Sequence, residues 1–325
     1  DPYFSCSLSL QVMAEQELPG VLILDIGGTQ GVLANHVALL KKHFCLITMK
    51  EFLANKKEMS KKIQSVFVFE CRPTIDRELL ESLPNLKVIA NSGVGVDHLD
   101  VKMISSFGVK VTNTPQAVAD STADIGMALM LASARRLVEG CQIAISPDTE
   151  HFAVDWLGVE VTGATLGIIG MGSIGYKVAQ RAKAFEMKIL YHNRNRREEE
   201  QAVGAHYCEK MDDLLQQSDF VVLVVNLSPE THKLIGKREL GLMKPTATLI
   251  NISRGRMARR HWCGSAVEVV FCPFALTLPS PTQMGPFPIY CISHTRVAGT
   301  LQINDLTQSI QSRQNLEPYP NDSFL

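Results

Sequence analysis

Along the first two thirds of the chain, short runs of aliphatic residues alternate with stretches whose apolar positions recur every three or four residues. Val21-Leu22-Ile23-Leu24, Ser65-Val66-Phe67-Val68-Phe69, Leu86-Lys87-Val88-Ile89-Ala90 and Val109-Lys110-Val111-Thr112 are rich in β-branched residues and bounded by turn formers, as buried parallel strands are. Between them, Val32, His36, Leu39 and Leu40, then Ile75, Leu79, Leu80 and Leu83, fall at the spacing of one helix face. Strand and helix in regular alternation predict an α/β fold with an open, doubly wound parallel sheet.

Residues 117–139 predict one long helix closed by Gly140, with Ile125, Met127, Leu129, Met130 and Leu131 as its core stripe. A second α/β series follows. Thr165-Leu166-Gly167-Ile168-Ile169 runs into a glycine turn and then a helix with Ile174, Val178, Ala182 and Phe185 on one face. Lys188–Tyr191, Phe220–Val225 and Thr248–Asn251 read as further strands. The pattern is clear as far as Ser253 and changes after Met257. From His261 to Thr295 only Glu268 is charged, and prolines at 273, 279, 281, 286 and 288 remove backbone donors, so no ordinary strand–helix–strand unit is expected there. The tail 301–325 is polar.

Composition narrows the class. At 325 residues, 46% hydrophobic and 20% charged, the chain is globular and long enough for two domains. A net charge of -1 gives no electrostatic reason for a nucleic acid or membrane partner, which leaves a small molecule. The eight cysteines lack metal-ligand or disulfide spacing, so no metal site is expected; reduced, mostly buried thiols and a cytoplasmic location fit best. No secretory signal is evident in residues 1–19, read as an N-terminal extension. The stretch 262–278 is apolar, but Gly264 and Pro273 interrupt it and it falls short of the roughly 20 residues a bilayer requires.

The most informative motif is Gly170-Met171-Gly172-Ser173-Ile174-Gly175. Three glycines in six residues say little alone, but these follow an apolar strand and open an amphipathic helix, the context of a dinucleotide site. Gly170 permits the tight turn, Gly172 close approach of a pyrophosphate to the backbone, and Gly175 close helix packing, while the helix N-terminus offers amides to phosphates. About 20 residues on, where an NAD site carries an acid for the ribose hydroxyls, the chain reads Tyr191-His192-Asn193-Arg194-Asn195-Arg196-Arg197. Guanidinium groups there suit a 2'-phosphate, so NADP(H) is the expected cofactor; a solvated basic turn is the plainer reading.

Together with Asn91–Asp100, Val111–Pro115, Leu227-Ser228-Pro229-Glu230-Thr231 and Asn251-Ile252-Ser253-Arg254-Gly255, this motif resembles the D-isomer-specific 2-hydroxyacid dehydrogenase family over about residues 20–257. The nearest branch is similar to the glyoxylate and hydroxypyruvate reductases. The resemblance implies that Val94 and Gly95 receive the carboxylate of a 2-keto acid on backbone amides. It implies that Arg254 pairs with that carboxylate and polarises the carbonyl. Thr122 matches a cofactor-facing position, Arg194 and Arg197 match 2'-phosphate contacts, Leu227 and Ser228 the adenosine side, and Ile252 the nicotinamide side.

The family completes its chemistry with a glutamate and a histidine about thirty and about fifty positions beyond the arginine. Counting from Arg254 reaches Gln283 and Asn304, which cannot serve. His294 is either a displaced proton donor or incidental. The expected organisation is a substrate domain at 20–117, a Rossmann cofactor domain at 118–300 that is irregular after 257, and a tail at 301–325. By resemblance the chain forms a homodimer and reduces a small 2-keto acid with NADPH. The rival reading is a nucleotide-binding protein without turnover, or a cofactor-gated interaction module.

Overall fold

A computed structural model describes residues 18–27, 31–145, 157–254, 257 and 268–271. They divide into two compact units, one of residues 18–92 and 100–112, the other of 93–99 and residues from 113 onward.

The first unit is a five-stranded parallel sheet. Its elements in chain order are β1 (Gly20–Ile23), α1 (Ala34–Leu40), β2 (Cys45–Thr48), α2 (Met49–Ala54), α3 (Lys56–Lys62), β3 (Ile63–Val68), α4 (Arg77–Ser82), β4 (Val88–Asn91), α5 (Val101–Ser106) and β5 (Lys110–Thr112). The strand order is β2-β1-β3-β4-β5. Burial follows position in the sheet: all four residues of β1 are buried, whereas edge strand β2 buries only Ile47. Val21, Ile23, Val32, Val37, Leu40, Phe44, Phe67 and Ala90 form one core cluster. At roughly 1.5–3 kcal/mol per large apolar side chain, such burial, more than helix propensity, holds a seven-residue helix like α1. Leu39, expected on the inner face with Leu40, is 43% exposed. Adjacent residues lie about 100° apart around a helix, so α1 turns only one of the two inward.

The second unit contains α6 (Ala119–Ala134), α7 (Leu137–Ile145), β6 (Thr165–Ile169), α8 (Ser173–Lys183), β7 (Lys188–His192), α9 (Glu200–Val203), β8 (Ala205–Tyr207), α10 (Met211–Gln217), β9 (Phe220–Leu223), α11 (Lys237–Leu242), β10 (Thr248–Asn251) and β11 (Glu268–Phe271). Its six parallel strands run in the order β11-β10-β9-β6-β7-β8. Strand order therefore reverses between β6 and β9, which opens a crevice at their carboxyl ends. Asp219 ties the other end, accepting from the Thr165 amide at 2.9 Å and from Lys244 Nζ at 2.7 Å.

One expectation fails in the middle of the chain. The helix predicted over 117–139 ends at Ala134, and a separate helix continues past Gly140. Arg136 adopts φ 49, a left-handed conformation that no helix interior allows, and the Val159 amide caps the open carbonyl of Ala134 at 2.8 Å. Met127, Leu129 and Met130 are buried in the core, as the stripe suggests.

Two further expectations need correction. The region after 257 supplies β11, paired in register with β10, because Val267-Glu268-Val269-Val270-Phe271 precedes the first proline and has β-branched character. The four cysteines among the described residues are less buried than expected: Cys45, Cys71 and Cys141 are exposed and Cys208 is intermediate. Cys45 opens an edge strand, Cys71 sits in the turn after β3, and Cys141 lies on α7. Among the described residues no helix is long and apolar enough to cross a membrane, and no cluster of His, Cys, Asp or Glu could hold a metal ion.

Candidate active site

The glycine turn stands at the crevice where the second sheet reverses. Gly170 has φ 106, and a Cβ there would lie 2.5 Å from the Val224 carbonyl oxygen at the end of β9. Only glycine tolerates both. Gly175 is pressed equally hard, with a Cβ position 2.2 Å from the Gly170 oxygen, so α8 packs directly on the turn that launches it. Gly172 differs: among the described residues no atom lies within 4 Å of its Cβ position, and both Gly172 and Ser173 are exposed. Gly172 is also the N-cap of α8 and provides no side-chain cap, and no acidic residue occupies the first turn. Open space therefore faces uncapped helix amides, a setting for an anionic group. Ile174 is half-buried against the core.

The end of β7 sorts its arginines. Glu200 is buried, accepts from Arg196 Nε at 2.9 Å and takes the Tyr191 hydroxyl. The Arg196 hydrogen bonds, then Tyr191, hold the Glu200 carboxyl below its ordinary range. Burial, then Glu200, pushes the Tyr191 hydroxyl up. Arg196 is thus committed to structure. Arg197 reaches Glu199 at only 3.9 Å, and its amide donates to the Tyr191 hydroxyl at 2.9 Å. Arg194 is exposed with no hydrogen bond or ion pair among the described residues. Just before them, Asn193 turns back: its Oδ1 accepts from the Met171 amide at 2.6 Å, fixing the glycine turn from the neighbouring strand.

Leu227 and Ser228 follow β9 in a turn knit by side chains. The Thr231 hydroxyl donates to the Asn226 carbonyl at 2.6 Å, and the Ser228 hydroxyl donates to Glu230 Oε2 at 2.6 Å. That bond, with a contribution from Arg194, keeps Glu230 below the usual carboxylate range. Thr122 is half-buried in the first turns of α6. Ile252 is buried beside Gly126 of the same helix, 3.2 Å from the Cβ position there.

At the end of β10, buried Asn251 and, just past it, buried Ser253 build the platform for Arg254. Asn251 Nδ2 donates to the Arg254 carbonyl at 2.9 Å, its Oδ1 accepts from the Ser253 amide, and the Ser253 hydroxyl donates to the Leu223 carbonyl at 2.8 Å. The guanidinium then meets the 93–99 loop, which belongs to the same compact unit. Its Nη2 would lie 2.0 Å from a Cβ at Gly95, so it rests directly on that glycine. Nε donates to Asp97 Oδ1 at 2.9 Å, and Nη1 to the Ser253 carbonyl at 3.2 Å. Asn113 Nδ2 donates to the Val94 carbonyl at 2.8 Å, anchoring the loop from its far side. Both ring nitrogens of His98 are buried and find no hydrogen-bond partner among the described residues; burial, opposed by Asp97 and reinforced by Arg254, lowers its pKa.

The residues expected to hold substrate, Val94, Gly95 and Arg254, thus come together, although they are far apart in sequence. His294 lies outside the described residues. Asp97, Asn193 and Asn251 were not picked out beforehand. Asp97 stands two residues after Gly95, an acid following a glycine loop, which is a signal of sorts; the Asn193 bond to Met171 is tertiary and leaves none, while the bonds of Asn251 are local, to Ser253 and Arg254 within one Asn-x-Ser-Arg run.

The comparisons with known proteins agree with this geometry. Residues 127–261 match the family model described as "D-isomer specific 2-hydroxyacid dehydrogenase, NAD binding domain". A glyoxylate reductase of Thermococcus onnurineus is 40% identical over 248 residues, 74% of this chain and 72% of that protein. A glyoxylate reductase of Pyrococcus horikoshii is 46% identical over 189 residues, 56% of each chain. The crystal structure of a glyoxylate reductase from Paecilomyes thermophila superposes with a TM-score of 0.74 at 27% identity, covering 95% of this chain and all of the other. A glycine turn at the sheet reversal, an arginine seated on a glycine loop and these relatives lead to one conclusion: the chain belongs to the D-isomer specific 2-hydroxyacid dehydrogenases, a family of oxidoreductases with an NAD-binding domain.

Proposed function

We propose that the chain reduces a small 2-keto acid of the glyoxylate or hydroxypyruvate class to the 2-hydroxy acid, with NADPH as reductant, acting as a homodimer. The observation that carries this reading is the seat of the Arg254 guanidinium on Gly95, at the same carboxyl edge of the second sheet as the glycine turn. An arginine there pairs with the substrate carboxylate, and its fixed fork of donors orients the carbonyl. Val94 and Gly95, without bulk at Gly95, let the loop backbone approach the same carboxylate.

NADPH, when bound, supplies the hydride that adds to C2. The open face of Gly172 and the first amides of α8 suit its pyrophosphate, and exposed Arg194, with no hydrogen bond or ion pair among the described residues, together with weakly paired Arg197 suits a 2'-phosphate. Ile252 offers an apolar wall to the nicotinamide side. Reduction leaves an alkoxide on C2 that must take one proton, and His294 is the proposed donor.

A second reading, nucleotide binding without turnover, draws on the family match ending at residue 261 and on Gln283 and Asn304 standing where the family's acid pair belongs. Following the absorbance of NADPH in the presence of glyoxylate or hydroxypyruvate separates the two. Keto-acid-dependent oxidation is expected, reduced about 100-fold in His294→Gln if that residue donates the proton. NADPH binding with no oxidation by either acid would establish the second reading instead.

A further inference from the structure

We propose that Asp97 is the positioning residue for Arg254, holding the guanidinium by its Nε edge so that its outer edge is presented to a substrate carboxylate over Gly95. The inference rests on the reductase reading and adds a residue to it. An arginine side chain has five N–H donors in a rigid plane, and fixing two of them fixes the direction of the rest. Here Nε is taken by Asp97 Oδ1 at 2.9 Å and one hydrogen of Nη1 by the Ser253 carbonyl at 3.2 Å. Among the described residues no hydrogen bond engages Nη2 or the second hydrogen of Nη1, which leaves them for an incoming anion at the end of the plane that rests on Gly95.

The surroundings support a fixed alignment rather than a loose surface pair. The Asp97 and Arg254 side chains are 23% and 35% exposed, partly withdrawn from water, where a charge-assisted bond is screened less than at a free surface. Asn113 fastens the loop that carries Asp97 through the Val94 carbonyl, and Asn251 fastens the backbone that carries Arg254. Both ends of the ion pair therefore start from anchored backbone. His98 is the other titratable group close to the pair; burial holds it toward the neutral form, so it brings no second cation to compete for Asp97. Without Asp97, Arg254 would keep its charge and lose its direction, and misplacement by about 1 Å costs on the order of 100-fold in a well-aligned site.

Three variants test this in the full chain: Asp97→Asn, Asp97→Glu and Arg254→Lys. Oxalate serves as a stable two-carbon dianion in place of the keto acid. In wild type, the Arg254 Nε–H, assigned by its absence from Arg254→Lys, is expected as a slowly exchanging resonance in nitrogen-edited proton spectra. Asp97→Asn should lose it, bind oxalate about 10-fold more weakly in the presence of NADPH, and bind NADPH as wild type does. Asp97→Glu should restore part of the oxalate affinity. Where glyoxylate is turned over, Asp97→Asn should lower kcat/KM by about 30-fold, with part of the loss in kcat, since alignment matters most in the transition state. Oxalate affinity in Asp97→Asn within twofold of wild type would overturn the positioning role. Oxalate and resonance effects as expected, in a protein that oxidises no NADPH with glyoxylate, would sustain the positioning role and overturn the reductase reading.

Discussion

Each of the two units begins a parallel sheet with a strand that runs into a glycine-containing turn, yet the two turns do opposite things. After β1, the chain folds back on itself: the Gly27 amide donates to the Val32 carbonyl and the Val32 amide to the Asp25 carbonyl, both at 2.8 Å, and α1 starts only at Ala34. After β6, three residues suffice before α8, and the face of Gly172 stays open. The helices share the contrast only in part: in the first unit Thr48, Asp76 and Asp100 cap α2, α4 and α5 with their own oxygens, whereas α1 and α3 there, like α8, have no side-chain cap. A doubly wound topology offers a crevice; unspent backbone donors decide whether that crevice can take a phosphate.

The largest effect is expected at Gly170. In Gly170→Val, a side chain at φ 106 and 2.5 Å from the Val224 oxygen forces the turn away from β9, so nucleotide binding should be lost, with a lower Tm for the whole chain. Wild-type nucleotide affinity in a folded Gly170→Val protein would break the distinction between the turns.

An exchange of cap chemistry sharpens it with smaller effects. Gly172→Asp has room for its side chain and gives α8 the cap it lacks, so stability should hold or rise by a few tenths of a kcal/mol. Its carboxylate would repel the pyrophosphate, and NADPH affinity should fall about 10-fold or more. Thr48→Ala does the reverse: it removes the bonds of the Thr48 hydroxyl with the Glu51 amide and carboxylate, costs about 1 kcal/mol in denaturant unfolding, and should leave NADPH affinity alone. Parallel losses of affinity in both variants would mean the effect is general destabilisation.

How much of this was legible beforehand depended on whether the signal was local. The β6 strand, its glycines and α8 were plain because strand periodicity, turn and helix face follow one another within 20 residues or so. Arg254 could be named from its neighbours in sequence. The break after Ala134 could not, since Arg135-Arg136 reads as good helix and the left-handed residue is set by where Val159 lands. Edge strand β2 was overlooked although Phe44-Cys45-Leu46-Ile47 is apolar, because the run is short and passes directly into α2 at Met49. Thr48-Met49-Lys50-Glu51 did carry the capping-box pattern and could have marked the start of α2. The division of labour among the arginines was also hidden: Arg196 is spent on buried Glu200 and Arg194 is not, a difference that appears only once Glu200 is seen to be inside.

The decisive measurement is a fluorescence titration of the full chain, and of its Arg194→Gln variant, with NADPH and with NADH. Wild type should bind NADPH at least about 10-fold more tightly than NADH, and Arg194→Gln should erase most of that preference while leaving NADH affinity within about twofold. Equal affinity of the wild-type chain for both dinucleotides, or a preference that survives loss of Arg194, would contradict a 2'-phosphate seated at this basic turn.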